Sequence, residues 1–129
     1  PERDGILNSL LFLEAIIASG KAPSQMLSEM HREFGEFRFG RRDLHMPVNA
    51  GQELVARLAM NTPGQFAGYE VVNTQTLDGT KISFDDESWL LFRQSGTEPV
   101  LRVYSEATSV EKCGRLLDAG QSLASKSAR

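Results

Sequence analysis

The chain has 129 residues, 40% of them hydrophobic and 24% charged, with a net charge of -3. That is room for one domain with a short appendage, and the acidic balance argues against a general nucleic-acid binder, which would carry a basic stripe. A single cysteine excludes an internal disulfide framework and any Cys-rich zinc site.

Taken in order, the first segment, Asp4 to Ser19, has helical character and stops at Gly20, a good C-terminal cap. Ile6, Leu10, Leu13 and Ile17 share a face, but Leu7, Leu11, Phe12 and Ile16 spread well around the cylinder. A helix apolar on most sides expects burial on most sides. The stretch from Ile6 to Ala18 is interrupted by Asn8, Ser9 and Glu14 and is too short to span a bilayer, so no membrane partner is expected. No cationic leader with an apolar core and cleavage site precedes it, which points to the cytoplasm. A second helix starts at Pro23, suited to a first helical turn, and carries Met26, Leu27, Met30 and Phe34 before Gly35. Two helices cannot cover this much apolar surface alone. The expectation is a chain that begins inside a larger domain whose sheet is missing, and the start at Pro1 agrees with that.

From Phe37 the pattern changes. Phe37, Phe39 and Leu44 predict a strand with a polar middle, Arg38 to Asp43, and Asn49 to Met60 predicts a helix with Leu54, Val55, Leu58 and Ala59 inward. Three β-like runs follow, Tyr69 to Thr76, Thr80 to Phe84 and Ser88 to Arg93, with Asp78-Gly79 as the hairpin turn between the first two. Asp85-Asp86-Glu87 reads as a solvated turn. Val100 to Glu106 is a further strand. Thr108 as N-cap with Glu111 three residues on forms a capping box for a last helix that runs to about Leu123, with a frayed tail after it. Cys113 falls at helical spacing with Val110, Leu116, Leu117 and Leu123 and reads as a small core residue. This order predicts an α+β domain, with a small antiparallel sheet and helices packed on one face.

Between the last two strands lies Arg93-Gln94-Ser95-Gly96-Thr97-Glu98-Pro99, followed by Val100-Leu101-Arg102-Val103-Tyr104. Glycine permits a tight turn in which main-chain N–H groups converge on an anion. Ser95 and Thr97 add hydroxyl donors, and Arg93 and Arg102 offer forked, charge-assisted hydrogen bonds suited to phosphate oxygens. The bland alternative is a well-bonded hairpin turn with two surface arginines. Glu98 puts a negative charge beside such a site. The expectation is that it pairs with an arginine or a main-chain donor and so fixes the loop. Elsewhere, His31 and His45 have no partner at metal-ligand spacing. Arg41-Arg42 reads as surface charge on opposite faces of a strand. Trp89 and Tyr104 fit core or sheet-face packing better than ligand stacking.

The stretch from Arg93 to Glu106 closely resembles the phosphate-binding loop of the α-D-phosphohexomutases, the phosphoglucomutase/phosphomannomutase family, whose pattern Arg-x-Ser-Gly-Thr-Glu-Pro-x-x-Arg-x-Tyr-x-Glu it follows without a mismatch. Asp78 to Trp89 looks like the hairpin that leads into that loop, and Asp4-Gly5-Ile6 with its helix looks like the end of the family's third domain. The resemblance implies residues 1–35 as closing helices of that domain, of α/β type and truncated here, and residues 36–129 as the C-terminal phosphate-binding domain. It implies a fold similar to the TATA-box-binding protein, without any implication of DNA binding. It also implies a phosphorylated hexose as ligand, with Arg93, Ser95, Gly96, Thr97 and Arg102 holding the non-reacting phosphate. The family interconverts hexose 1- and 6-phosphates through a bisphosphorylated intermediate. Its phosphate-carrying serine, Mg²⁺-binding aspartate loop and sugar-recognition loop lie in the first three domains, and none of them occurs here. No catalytic residue and no metal site is therefore expected on this chain. Its partners would be the missing upstream domains, or a second copy through the first helix. Leu101 to Tyr104 look more like the glucose and mannose branches than the glucosamine branch. The runner-up is a free-standing phosphate-ligand or interaction module without catalysis.

Overall fold

A computed structural model describes residues 4–127. They form two compact units that part between Glu36 and Phe37. The first holds α1, Gly5–Ser19, and α2, Pro23–Phe34, with an 87° bend between them. Asp4 caps α1 by accepting from the Leu7 N–H at 2.9 Å, and the Gly20 N–H closes the other end on the carbonyls of Ile16 and Ile17. Gln25 reaches back to accept from the Ala22 N–H, which satisfies an orphan donor at the start of α2. No residue of either helix is buried. Among the described residues, no single helix is long and apolar enough to cross a membrane.

The second unit contains β1 (Arg38–His45), α3 (Val48–Met60), β2 (Gln65–Phe66), β3 (Tyr69–Gln75), β4 (Thr80–Phe84), β5 (Trp89–Gln94), β6 (Val100–Ala107) and α4 (Val110–Ser127). The strands make one antiparallel sheet in the order β1-β6-β5-β4-β3-β2. Strand alternation sends Ile82, Phe84, Leu90, Phe92, Leu101 and Val103 to the face that α3 and α4 cover, where all are buried with Leu54, Leu58, Cys113 and Leu116. The fold is thus α+β with its helices on one face. The other face is left to Phe39, Arg41, Trp89, Leu91, Arg93, Arg102 and Tyr104. Trp89 and Tyr104 are sheet-face residues here. Phe39 packs between them at ring distances of 6.4 and 6.3 Å, and the Trp89 indole N–H donates to Glu106.

Several elements depart from the sequence reading. The strand β2 was not expected, because two residues are too few to show a period. It is created by the two-residue turn Ala67-Gly68, both at positive φ, the geometry that joins antiparallel strands without splaying them. The N-cap of α4 is Ser109, whose hydroxyl accepts from the Lys112 N–H at 3.1 Å; Thr108 binds Asp86 instead. The helix continues through Ser127 and buries Ala124, so residues 124–127 are not a frayed tail; Ala128 and Arg129 lie outside the described residues. The acidic turn is not simply solvated. Asp86 accepts from the ammonium of the buried Lys112 at 2.7 Å, and that ammonium also lies 4.1 Å from the centre of the Tyr69 ring. Burial raises the Asp86 pKa, but Lys112 and the Ser88 N–H outweigh it and bring the carboxyl down to about 2.

Candidate functional site

The hairpin turn after β5 is built from both directions. Ser95 closes it by donating its N–H to the Val100 carbonyl at 2.9 Å, and Val100 donates to the Glu98 carbonyl at 2.7 Å. Gln94 folds beneath it, its amide nitrogen donating to the carbonyls of Ser95 and Glu98, each at 3.2 Å. Met46, just before α3, donates to the Pro99 carbonyl and ties the turn to the start of that helix. The loop is therefore braced from inside, leaving Gly96, Thr97 and Glu98 at its exposed tip. Their N–H groups have no acceptor among the described residues, whereas that of Ser95 is already used. The N–H of Ser95 is therefore not available to an anion. The turn differs from the sequence reading at Gly96. Its φ is not left-handed and a Cβ there would meet open space, so the turn itself does not require glycine.

Arg93, Ser95 and Gly96 line a cleft of about 310 Å³ together with Gln52, Val55 and Ala56 of α3 and the turn residues Asp78 and Gly79. Thr97 and Arg102 do not line it. The register places Arg93 directly opposite Arg102, and Arg102 opposite Asp43, so three charges form a row across the strand ends. The two arginines are partnered differently. The Arg102 Nη2 donates to Glu98 Oε2 at 2.9 Å, and its Nε is buried without a partner. Glu98 does pair with an arginine of its own motif. Arg93 forms an ion pair with Asp78, whose Oδ1 lies 3.1 Å from its Nε, and none of its N–H groups has a hydrogen-bond acceptor among the described residues. Beside the row, hydrogen bonding from Arg41 holds the Asp43 carboxyl below the ordinary carboxylate range, with Arg102 and His45 adding to the effect.

Sequence reasoning did not assign Gln52, Asp78 or Gln94 to the site. Asp78-Gly79 signalled a hairpin, and nothing local showed which strand end it would meet. Gly79 sits at φ 94°, and a Cβ there would stand 2.2 Å from the Phe92 carbonyl oxygen, so only glycine lets this turn close against β5. The larger cleft of about 590 Å³, between Arg42 and α4, is remote from the loop; Arg42 there donates to Gln121 at 2.7 Å and pairs with Asp118. Arg41 and Arg42 do point to opposite faces, but Arg42 is engaged with α4 rather than simply surface charge. Among the described residues no three His, Cys, Asp or Glu side chains gather as a metal-holding group. His31 lies 3.7 Å from Glu36.

Residues 48–119 match the family model described as the phosphoglucomutase/phosphomannomutase C-terminal domain. The chain is 37% identical over 118 residues to a phosphoglucomutase/phosphomannomutase of Thermococcus kodakarensis, covering 92% of this chain and 24% of that protein. It is 36% identical over 109 residues to a probable phosphoglucosamine mutase of Methanothermobacter thermautotrophicus, covering 84% of this chain and 23% of that protein. The crystal structure of a phosphoglucomutase/phosphomannomutase family protein from Burkholderia thailandensis superposes with a TM-score of 0.54 at 20% identity, over 78% of this chain and 20% of that one, a likeness of fold. The chain spans about a quarter of the length of these curated relatives.

Proposed function

This chain belongs to the phosphoglucomutase/phosphomannomutase family, as a C-terminal domain, and on that premise we propose that its loop holds the non-reacting phosphate of a phosphorylated hexose. The enzyme of which it would be a part interconverts hexose 1- and 6-phosphates through a bisphosphorylated intermediate. One observation carries the reading: Arg93, Ser95 and Gly96 line one cleft, beside a loop tip whose N–H groups are unspent. Such a mutase needs a place that grips phosphate rather than sugar, because the sugar must bind in both orientations. An arginine fork with main-chain donors meets that need. The open space where a Gly96 Cβ would stand lets an anion approach the backbone.

In this role Arg93 supplies charge to the cleft, and the Gly96 and Thr97 amides with the Ser95 and Thr97 hydroxyls supply donors. Arg102 would act from behind, holding Glu98 and adding positive potential. Closing over the substrate, the loop would exclude water from the reacting phosphoryl group. Mg²⁺ and the phosphate-carrying residue would lie outside this chain, which alone would be catalytically incompetent. The apolar surface of α1 and α2 would be covered by the rest of the enzyme or, in the isolated chain, by a second copy.

The test is a backbone amide NMR titration with inorganic phosphate and with glucose 1-phosphate. Shifts centred on Ser95, Gly96 and Thr97 are expected with both ligands. Arg93→Ala should weaken binding by about 1.5–3 kcal/mol, the value of one charge-assisted contact. Shifts centred elsewhere, or undiminished affinity in that variant, would overturn the reading.

A further inference from the structure

Asp78 presents a puzzle of sign. A carboxylate at the wall of an anion cleft should repel the ligand, yet Asp78 and Arg93 line the same cleft with Oδ1 and Nε 3.1 Å apart. Two features show that the placement is built. The neighbouring Gly79 stands opposite Arg93 across β4 and β5, where a Cβ would lie 2.2 Å from the Phe92 carbonyl oxygen and 3.1 Å from the Arg93 Cα. The turn that carries Asp78 is thereby pressed against the backbone of Arg93 itself. The carboxylate also lies nearest the guanidinium on its Nε side, as an ion pair rather than a hydrogen bond, so the N–H donors of Arg93 have no hydrogen-bond acceptor among the described residues. Arg102 is the contrast: its partner Glu98 takes a terminal nitrogen, the kind of donor an incoming anion would use.

We propose that Asp78 is a positioning residue that holds the Arg93 guanidinium from its Nε side, so that the terminal fork is oriented for anion binding before the ligand arrives. This rests on the phosphate-holding role proposed above for the loop. An arginine side chain free in solvent loses rotamer entropy when it binds, and ordering it beforehand removes that loss from the binding step. Positioning and repulsion act in opposite directions on affinity. The geometry favours positioning, because Asp78 Oδ1 approaches nearest the Nε, on the side that a bidentate grip on phosphate by the terminal nitrogens leaves over.

The two effects predict opposite signs in one experiment. Asp78→Asn and Asp78→Ala would be compared with the unaltered 129-residue chain by NMR titration with inorganic phosphate, and the relaxation of the Arg93 Nε–Hε group would be followed without ligand. The Asp78 side chain is 68% exposed, so neither variant should disturb the fold, and unchanged amide shifts in β3, β6 and α4 would verify that. Positioning predicts a mobile Arg93 Nε–Hε in both variants and phosphate affinity lower by about fivefold, with Asp78→Glu restoring much of it. Equal or tighter phosphate binding in Asp78→Asn would overturn the proposal, as would an Arg93 side chain equally ordered without the carboxylate. If the unaltered chain shows no phosphate response at the loop while Arg93 is ordered by Asp78, the phosphate-holding role fails and the ion pair is purely structural. That outcome overturns the inference through its premise and is distinguishable from the others.

Discussion

The helices α1 and α4 are of similar length and opposite fate. α1 carries the richer apolar sequence, yet none of its residues is buried, and Ile6 and Ile17 are 79% and 72% exposed. α4 has fewer apolar residues but concentrates Cys113, Leu116, Leu117, Gly120 and Ala124 on one face, all buried against the sheet. Burial follows the arrangement of apolar groups and the presence of an opposing surface, not apolar content. A helix apolar on all sides is suited to surroundings on all sides, and one neighbouring helix cannot provide them. The second unit has an interior of its own; the first has apolar material without an enclosure.

The largest effect that would sharpen this contrast is a matched pair of truncations. Phe92→Ala, at a fully buried position, should cost about 3–5 kcal/mol in urea unfolding of the second unit. Leu10→Ala in α1 should stay within about 0.5 kcal/mol. A large loss from Leu10→Ala would mean that α1 is enclosed in solution and would break the comparison.

A smaller effect should come from the turn behind the cleft. Gly79→Ala places a Cβ against the Phe92 carbonyl and demands a left-handed φ from alanine, so about 2 kcal/mol of stability should be lost. Amide shifts should be confined to β4, β5 and the loop. An unchanged melting curve would show that the turn can relax away from β5.

The smallest effect is set by pH. The Asp86 carboxyl has a folded-state pKa of about 2, below its ordinary 3.8. Its contribution is therefore fully present above about pH 4 and fades as the pH falls towards 2. With the Asp86 side chain 34% exposed, the contribution is discounted to about 1 kcal/mol. Unfolding measured at pH 6 and pH 2.5 should show the unaltered chain losing that much more than Asp86→Asn. Equal losses would mean that the Lys112 pair does not stabilise the second unit.

Elements with a full period were legible in the residues. The alternation from Thr80 to Phe84 and the spacing of Cys113, Leu116 and Leu117 are local signals, because a strand repeats every two residues and a helix every 3.6. β2 was not legible, for its two residues exist as a strand only because β3 lies beside them. The motif from Arg93 to Glu106 likewise announced a loop, and charge alone anticipated that Glu98 would pair with an arginine or a main-chain donor, the structure supplying Arg102. Composition could not tell that Asp86 would be drawn to Lys112, or that Asp78 rather than Arg102 would share the cleft with Arg93. The sequence by itself determined the elements, the loop and the donors it carries, since these depend on neighbours a few positions away. Only the tertiary structure decided which donors were already spent and which carboxylate met which arginine. Strand register brings together residues from distant parts of the chain, and a local pattern holds no record of that.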